Sequence, residues 1–248
     1  MKNSKTLIAA LVIVVLIFFG LVFVLPRVKG SSDGSSSSDL DISKYDLTTV
    51  IEGNDDNGGI ADHIKGDPSA PVTIFEYADF QCSGCANVNP WIKSLLKEYD
   101  GKLRIVYRSF PLTNIHPNAI AAASAAEAAG LQGFWEEYGD LLFSNQSEWF
   151  YSSGTSRTDL FMQYFTSVAG EAGDLPKFRA DMASAEVKKK VAFDDTISRS
   201  LNIESTPSFF GEDGKEINWI TGSTQSKDET LKIFREYIDA QLKSKSND

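Results

Sequence analysis

Phe75-Glu76-Tyr77-Ala78-Asp79-Phe80-Gln81-Cys82-Ser83-Gly84-Cys85 is the stretch around which the chain is organised. It reads as an apolar strand, a turn, and two cysteines three apart where a helix begins. These are the only cysteines in 248 residues, so all sulfur chemistry falls on one pair. Residues i and i+3 in the first helical turn bring two sulfurs within bonding reach. The first sulfur also faces unsatisfied backbone N–H groups and the positive end of the helix dipole, which favour a thiolate. Cys82 is therefore expected to be the acidic thiol and Cys85, one turn further in, the shielded one. A stabilised thiolate makes the reduced pair more stable and its disulfide more oxidising. Ser83 can add a hydroxyl hydrogen bond, and Gly84 lets another chain approach. No histidine or cation stands between the cysteines, so the spacing promises no extreme shift.

Two other readings compete. A structural disulfide closing so short a loop adds little loop entropy. A zinc half-site would need His63 and His116, which lie 19 residues before and 31 after the pair, at no familiar ligand spacing. The pair is read as redox-active, with no metal and no cofactor beyond its own disulfide. His116, between apolar stretches and before Pro117, is read as a helix-start or packing residue.

Working outward, Val72 to Tyr77 is expected as a buried strand after the turn cluster Gly66-Asp67-Pro68-Ser69-Ala70-Pro71. Val88, Trp91, Ile92, Leu95 and Tyr99 fall at helical spacing, with Pro90 expected to kink that helix. Leu103 to Tyr107 gives a second strand, completing a right-handed βαβ unit. From about 118 to 201 the sequence reads helical almost throughout, and its apolar stripes read as helix–helix core. Ala119 to Ala129 forms one helix and Phe134 to Leu142 a second. Leu160 to Val168 marks a third, Pro176 opens a fourth, and Val187, Val191 and Leu201 lie along a fifth. Ser208 to Phe210 is then a strand, Gly211 to Gly214 a hairpin turn, Glu216 to Ile220 its partner, and Asp228 to Leu242 a closing helix. The fold class is α/β: β-α-β, a large all-helical insertion, then β-β-α.

Upstream, Leu7 to Leu25 is 19 uncharged, almost wholly apolar residues, flanked by Lys2, Lys5, Arg27 and Lys29. That suffices to cross a ~30 Å hydrocarbon core as a helix and exceeds a typical cleaved signal core. Residues 1–29 are read as a transmembrane anchor and 30–59 as a Ser/Gly/Asp-rich tether, in which Leu40 to Ile51 is a candidate edge strand. Residues 60–248 are read as the folded body. The chain beyond the anchor keeps 20 basic against 34 acidic residues, a charge of −14 that argues against nucleic acid as a partner.

The body resembles the DsbA-like branch of the thioredoxin fold, in particular its membrane-tethered BdbD-like group. Gly66 to Val72 and Phe75 to Cys85 are similar to the family's active-site strand and turn. Phe110-Pro111-Leu112, His116-Pro117, Ala121 to Gly130 and Gln132-Gly133-Phe134-Trp135 resemble its entry into the helical insertion. Ser205-Thr206-Pro207-Ser208-Phe209 resembles the loop that holds its cis-proline. The resemblance implies that Cys82 forms the mixed disulfide with substrate and that Glu76 moves protons to and from buried Cys85. It implies too that Thr206 and a cis Pro207 lie opposite the cysteines and pair with an extended substrate. It further implies a monomer at the plasma membrane with a cytoplasmic N-terminus and an extracytoplasmic catalytic domain. Its substrates would be exported cysteine-containing proteins, and a quinone-linked membrane partner would reoxidise it. Where the family has Pro-His or Pro-Tyr between the cysteines, this chain has Ser83-Gly84. That departure leaves three readings open: a dithiol oxidase, a reductase or isomerase on the same fold, and an adaptor in which the pair is a staple.

Overall fold

Every residue from Val72 to Ala78 is buried, which marks this strand, β2, as the centre of a sheet covered on both faces. The structure, a computed structural model, describes residues 40–219 and 226–246. The sheet has four strands in the order β1-β3-β2-β4, with β1 at His63–Gly66, β3 at Leu103–Ser109 and β4 at Ser208–Gly211. β2 and β3 are parallel, joined through helix α1 (Ser83–Glu98), while β1 and β4 run antiparallel to their neighbours. Pro90 lies inside α1 without ending it.

Strand alternation sorts the side chains. Val72 and Ile74 point toward α1 and the closing helix α8 (Lys227–Lys245), in a core with Ile92, Leu95, Phe209 and Phe234. Phe75 and Tyr77 point the other way, onto Phe193 and Ile197. Glu76 shares the parity of Ile74, so it lies on the α1 face. Between β3 and β4 run α2 (Ala119–Gly130), α3 (Trp135–Ser144), the short α4 (Gln146–Trp149), α5 (Gly154–Ala169), α6 (Leu175–Asp181) and α7 (Ala185–Ser200). They form a third core around Trp149, Phe161, Phe165 and Phe178, which reaches Phe80 and Cys85. Alanines at 122, 125, 126, 128 and 129, all fully buried, let α2 run through its centre.

Several expectations change. The transmembrane reading of residues 1–29 lies outside the described residues, as do residues 30–39; among the described residues no helix is long and apolar enough to cross a membrane. The stretch from Leu40 onward is neither tether nor edge strand. It holds a 3-10 turn at Ile42–Lys44 and packs Ile51 and Tyr45 on the Phe193 face. The Arg108 guanidinium donates to the carbonyls of Leu47 and Thr49, 2.8 Å each, occupying groups that a strand ladder would need. Asn54 and Asn57 bond each other's backbone through Glu52–Gly59, and a Cβ on Gly58 would stand 2.2 Å from the Glu186 carbonyl oxygen. Residues from Leu40 on therefore already pack on the body expected to start at Ile60. The edge role falls to β1, which the sequence reading missed.

The hairpin after β4 is shorter than expected. Glu216 makes a single bridge to Phe210. Beyond it the Trp219 N–H turns back to the Ile217 carbonyl, 2.8 Å, while both side chains enter the core beside Phe209. Ile220 lies outside the described residues. Pro176 is the second residue of α6, after Leu175, with Asp174 capping the helix through the Lys177 N–H.

Candidate active site

Cys82 is the N-cap of α1, with extended backbone (φ −76°, ψ 123°), and Cys85 is the third residue of the helix. An N-cap side chain ordinarily supplies an oxygen to the second and third N–H groups of its helix; here a sulfur stands in that place. Both cysteines carry free thiols. Cys82 is half-buried and Cys85 has no exposure at all. The Cys82 thiol is drawn from its ordinary 9.0 to about 5, most strongly by the Cys85 thiol. Burial opposes this shift, while Thr206 and the N–H groups of Cys85 and Gly84 support it. Burial pushes the Cys85 thiol well up, and the neighbouring Cys82 sulfur adds to that.

The loop before β4 faces this pair. The Thr206–Pro207 peptide bond is cis. The Cys82 thiol donates to the Thr206 carbonyl oxygen at 3.3 Å, and the buried Thr206 hydroxyl favours the thiolate of both cysteines. A Cβ on Gly84 would sit 3.4 Å from Pro207 Cδ and 3.5 Å from both Cys82 Sγ and the Thr206 oxygen. Gly84 therefore leaves one methyl's width between the helix start and the proline loop.

Glu76, on the α1 face of β2, is fully buried. It is not a solitary acid. Lys65 of β1, itself 4% exposed, reaches across β3 beside the Tyr107 ring and donates to Glu76 Oε2 at 3.2 Å. Glu76 Oε1 has no hydrogen-bond partner among the described residues. Lys65 also donates to Asn89 Oδ1 at 3.3 Å, and Asn89 donates to Asp140 of α3 at 2.8 Å. Asn89 is one turn beyond Cys85 on the same buried stripe of α1. A polar chain therefore leads from Glu76 along the inner face of α1 to a half-buried surface carboxylate, Asp140, which also pairs with Lys93.

The turn between strand and helix is held by Asp79, Gln146 and His116, of which the sequence reading gave only His116 a role, as a helix-start or packing residue. Asp79, buried, accepts from the N–H of Gln81 (2.8 Å), the N–H of Leu112 (2.9 Å) and Nδ1 of His116 (2.7 Å). Its own N–H points to Cys85 Sγ at 3.5 Å. His116 thus braces the turn before the cysteines through Asp79, while its carbonyl accepts the N–H of Ala119, the first residue of α2. Gln146 of α4 donates to the carbonyls of Phe80 and Cys82. His63, the other histidine, bonds Glu127 at 2.7 Å and stacks on Trp135. A lysine at a period-two position in His63-Ile64-Lys65-Gly66, and an asparagine on the stripe of Cys85 and Ile92, were the available signals for the polar chain. Both are legible only when β1 is recognised as a strand.

A parallel βαβ core with antiparallel strands β1 and β4 at its two edges, an all-helical insertion, and a Cys-x-x-Cys helix start facing a cis-proline make a thioredoxin-like α/β fold. A family model described as Thioredoxin matches residues 59–240, and the chain belongs to that family. Among solved structures it is similar to a thioredoxin-like oxidoreductase from Silicibacter pomeroyi DSS-3, with 25% identity, a TM-score of 0.53, and coverage of 71% of this chain and 91% of that one. It is similar in fold to α-DsbA1 from Wolbachia pipientis (22% identity, TM-score 0.57, 74% and 92% covered). The same holds for oxidised BdbD from Bacillus subtilis (18% identity, TM-score 0.59, 78% and 98% covered). Among curated proteins, 150 residues are 38% identical to part of the Na(+)/H(+) antiporter NhaA 3 of Salinispora tropica, and 153 residues are 37% identical to part of NhaA 1 of Salinispora arenicola. The matched stretch is 60% of this chain but only 21% of each antiporter, so the chain spans about a fifth of the length of these relatives.

Proposed function

We propose that the protein is an extracytoplasmic dithiol oxidase that introduces disulfide bonds into exported, cysteine-containing proteins. The observation that carries this reading is the contrast within one helical turn. The Cys82 thiol is accessible and drawn to about 5, whereas Cys85 is sealed and pushed up. In the oxidised protein a substrate thiolate attacks Cys82 Sγ, the Cys82–Cys85 bond breaks, and Cys85 leaves as a thiolate that takes up a proton. A second substrate thiolate then attacks the substrate sulfur of the mixed disulfide and expels Cys82 as a thiolate. The substrate gains a disulfide and the protein holds the dithiol. Easy expulsion of Cys82 drives the second step, because a stabilised thiolate is the better leaving group.

Glu76 serves the proton uptake of Cys85 in this reading. It lies on the α1 face with one oxygen free, and the Lys65–Asn89–Asp140 chain connects it to the surface. Thr206 offers its carbonyl to the backbone of an extended substrate once Cys82 no longer holds it. A membrane-bound, quinone-linked partner would return the dithiol to the disulfide, and residues 1–29 would hold the domain at the outer face of the plasma membrane.

Equilibrating the protein in glutathione buffers and trapping its thiols measures the reduction potential. A value well above thioredoxin's ~−270 mV, toward the oxidising end near −120 mV, is expected. A value at or below thioredoxin's would replace the oxidase by a reductase. Cys82→Ala is expected to abolish turnover, and Cys85→Ala to accumulate mixed disulfides with substrate.

A further inference from the structure

Three cations meet at one cavity in the helical insertion, and none of them has a carboxylate partner among the described residues. The cavity measures about 590 Å³ and opens where α2, α5, α6 and α7 converge. Ile120, Phe161 and Met182 supply apolar lining, Arg157, Arg179 and Lys188 supply charge, and no Asp or Glu lines it. Ile120 is 51% exposed there, one of the few large apolar side chains left to solvent among the described residues. Arg157 donates once, to Asn118 Oδ1 at 2.6 Å. Its remaining donors, and all those of Arg179 and Lys188, meet no protein acceptor among the described residues.

This is unlike the surface cations nearby. Lys177 pairs with Asp181 four residues on, and Arg199 with Asp195. The positions three and four away from the pocket cations hold no acid. They are Gly154, Ser153, Leu160 and Phe161 around Arg157; Pro176, Leu175, Met182 and Ala183 around Arg179; and Ala185, Ser184, Val191 and Ala192 around Lys188. The same-face pairing that neutralises helix surfaces is therefore missing at all three. In a chain of net charge −10, an acid-free concavity with three cations is a local reversal of the overall field. Low-dielectric walls focus such a field onto an entering anion. The volume falls within the ~300–1,000 Å³ range of small-molecule sites, and guanidinium forks match carboxylates in two-point geometry.

We infer that this cavity is a binding site for a small organic anion with an apolar body, its carboxylates held by Arg157, Arg179 and Lys188 and its body against Ile120, Phe161 and Met182. The site is separate from the sulfurs but tied to them. Arg157 holds Asn118, whose N–H donates to Gln81 Oε1 at 2.6 Å, and Gln81 adjoins Cys82.

The test uses the full chain in nanodiscs, titrated with naphthalene-2,6-dicarboxylate and followed by amide chemical shifts and calorimetry. Saturable binding is expected, with shifts concentrated at Ile120, Thr158 and Met182. Affinity should drop at least tenfold in the Arg179→Glu/Lys188→Glu variant, whose two side chains are exposed and whose folding is checked by unchanged alkylation of Cys82. The neutral analogue naphthalene-2,6-dimethanol and inorganic phosphate should each bind at least tenfold more weakly than the dicarboxylate. Cys82→Ser should bind it unchanged, which separates this site from the redox reading. Absence of saturation at millimolar dicarboxylate, or equal affinity in the charge-reversed variant, overturns the proposal. Phosphate binding as tight as the dicarboxylate overturns the apolar half of it.

Discussion

The thiol of Cys82 donates to the carbonyl oxygen of Thr206 across 3.3 Å, joining residues 124 positions apart in the chain. The contact sets the helix start against the proline loop, so the Cys82 sulfur is bounded by α1 on one side and by the cis-proline loop on the other.

The pH dependence of Cys82 follows from this setting. Its thiol is drawn from 9.0 to about 5, with the Cys85 thiol as the largest cause. Alkylation of the reduced protein by iodoacetamide should titrate with a midpoint near pH 5, and Cys85→Ala should move that midpoint upward. The sign for stability is that of a depressed acid. The thiolate stabilises the reduced fold fully above the unfolded thiol's pKa, in part at pH 7, and not at all below about pH 5. Thermal unfolding should therefore show the reduced form gaining on the oxidised form as pH rises from 5 to 9. A gap that stays flat over that range would contradict the assignment.

Glu76 and Lys65 form a sealed ion pair, with side chains 0% and 5% exposed. Removing one partner leaves an uncompensated buried charge, so Lys65→Met should cost about 3–5 kcal/mol in urea unfolding. Replacing both, as Lys65→Met/Glu76→Leu, should recover most of that. The single variant Glu76→Gln should slow proton-coupled release of Cys85 in stopped-flow reduction while leaving the alkylation profile of Cys82 in place.

Gly84 gives a test of substrate access. Its missing Cβ would find only van der Waals contacts at 3.4–3.5 Å, and alanine is the better helix former by up to ~1 kcal/mol. Gly84→Ala should therefore leave the fold as stable or slightly more so. Its methyl would occupy the gap between Cys82 and Pro207, so the rate with a reduced protein substrate should fall while the rate with dithiothreitol changes little. Equal losses with both would point to damage at the sulfurs instead.

Asp62 fastens the segment after Leu40 to the sheet. It accepts from the Ile51 N–H and from Arg108, and Lys190 bridges it to Asp194, all buried. Burial opposes the charge of Asp62, but Lys190 and Arg108 hold its carboxyl below the usual range, whereas burial pushes Asp194 up to about 6. Asp62→Ala should cost about 3–5 kcal/mol by leaving buried Arg108 without a carboxylate and Lys190 with Asp194 alone. Limited proteolysis read by mass spectrometry should then find cleavage between residues 40 and 60 that the parent protein resists.

Much of this architecture is readable locally. Val72 to Tyr77 is a continuous apolar run, Val88 to Tyr99 and Leu160 to Val168 have helical spacing, and Cys-x-x-Cys after a strand fixes where the chemistry sits. What escaped the reading depends on partners distant in sequence. β1 is four residues long and carries His63 and Lys65, so no apolar pattern announces it; it exists because β3 offers an unpaired edge. The Leu40–Gly59 stretch looks like coil by composition, yet Arg108 supplies the donors that its carbonyls need.

The sequence by itself determined the strand–helix frame, the all-helical insertion and the placement of the cysteine pair at a helix start, because periodicity and the i, i+3 spacing of Cys82 and Cys85 are properties of a chain segment. Only the tertiary structure decided that Glu76 has a lysine partner, that Asp79 and His116 brace the turn, and that Arg157, Arg179 and Lys188 surround one cavity. Burial, ion pairing and the depressed pKa of Cys82 depend on which groups the fold brings within a few ångströms, and no local pattern encodes that proximity.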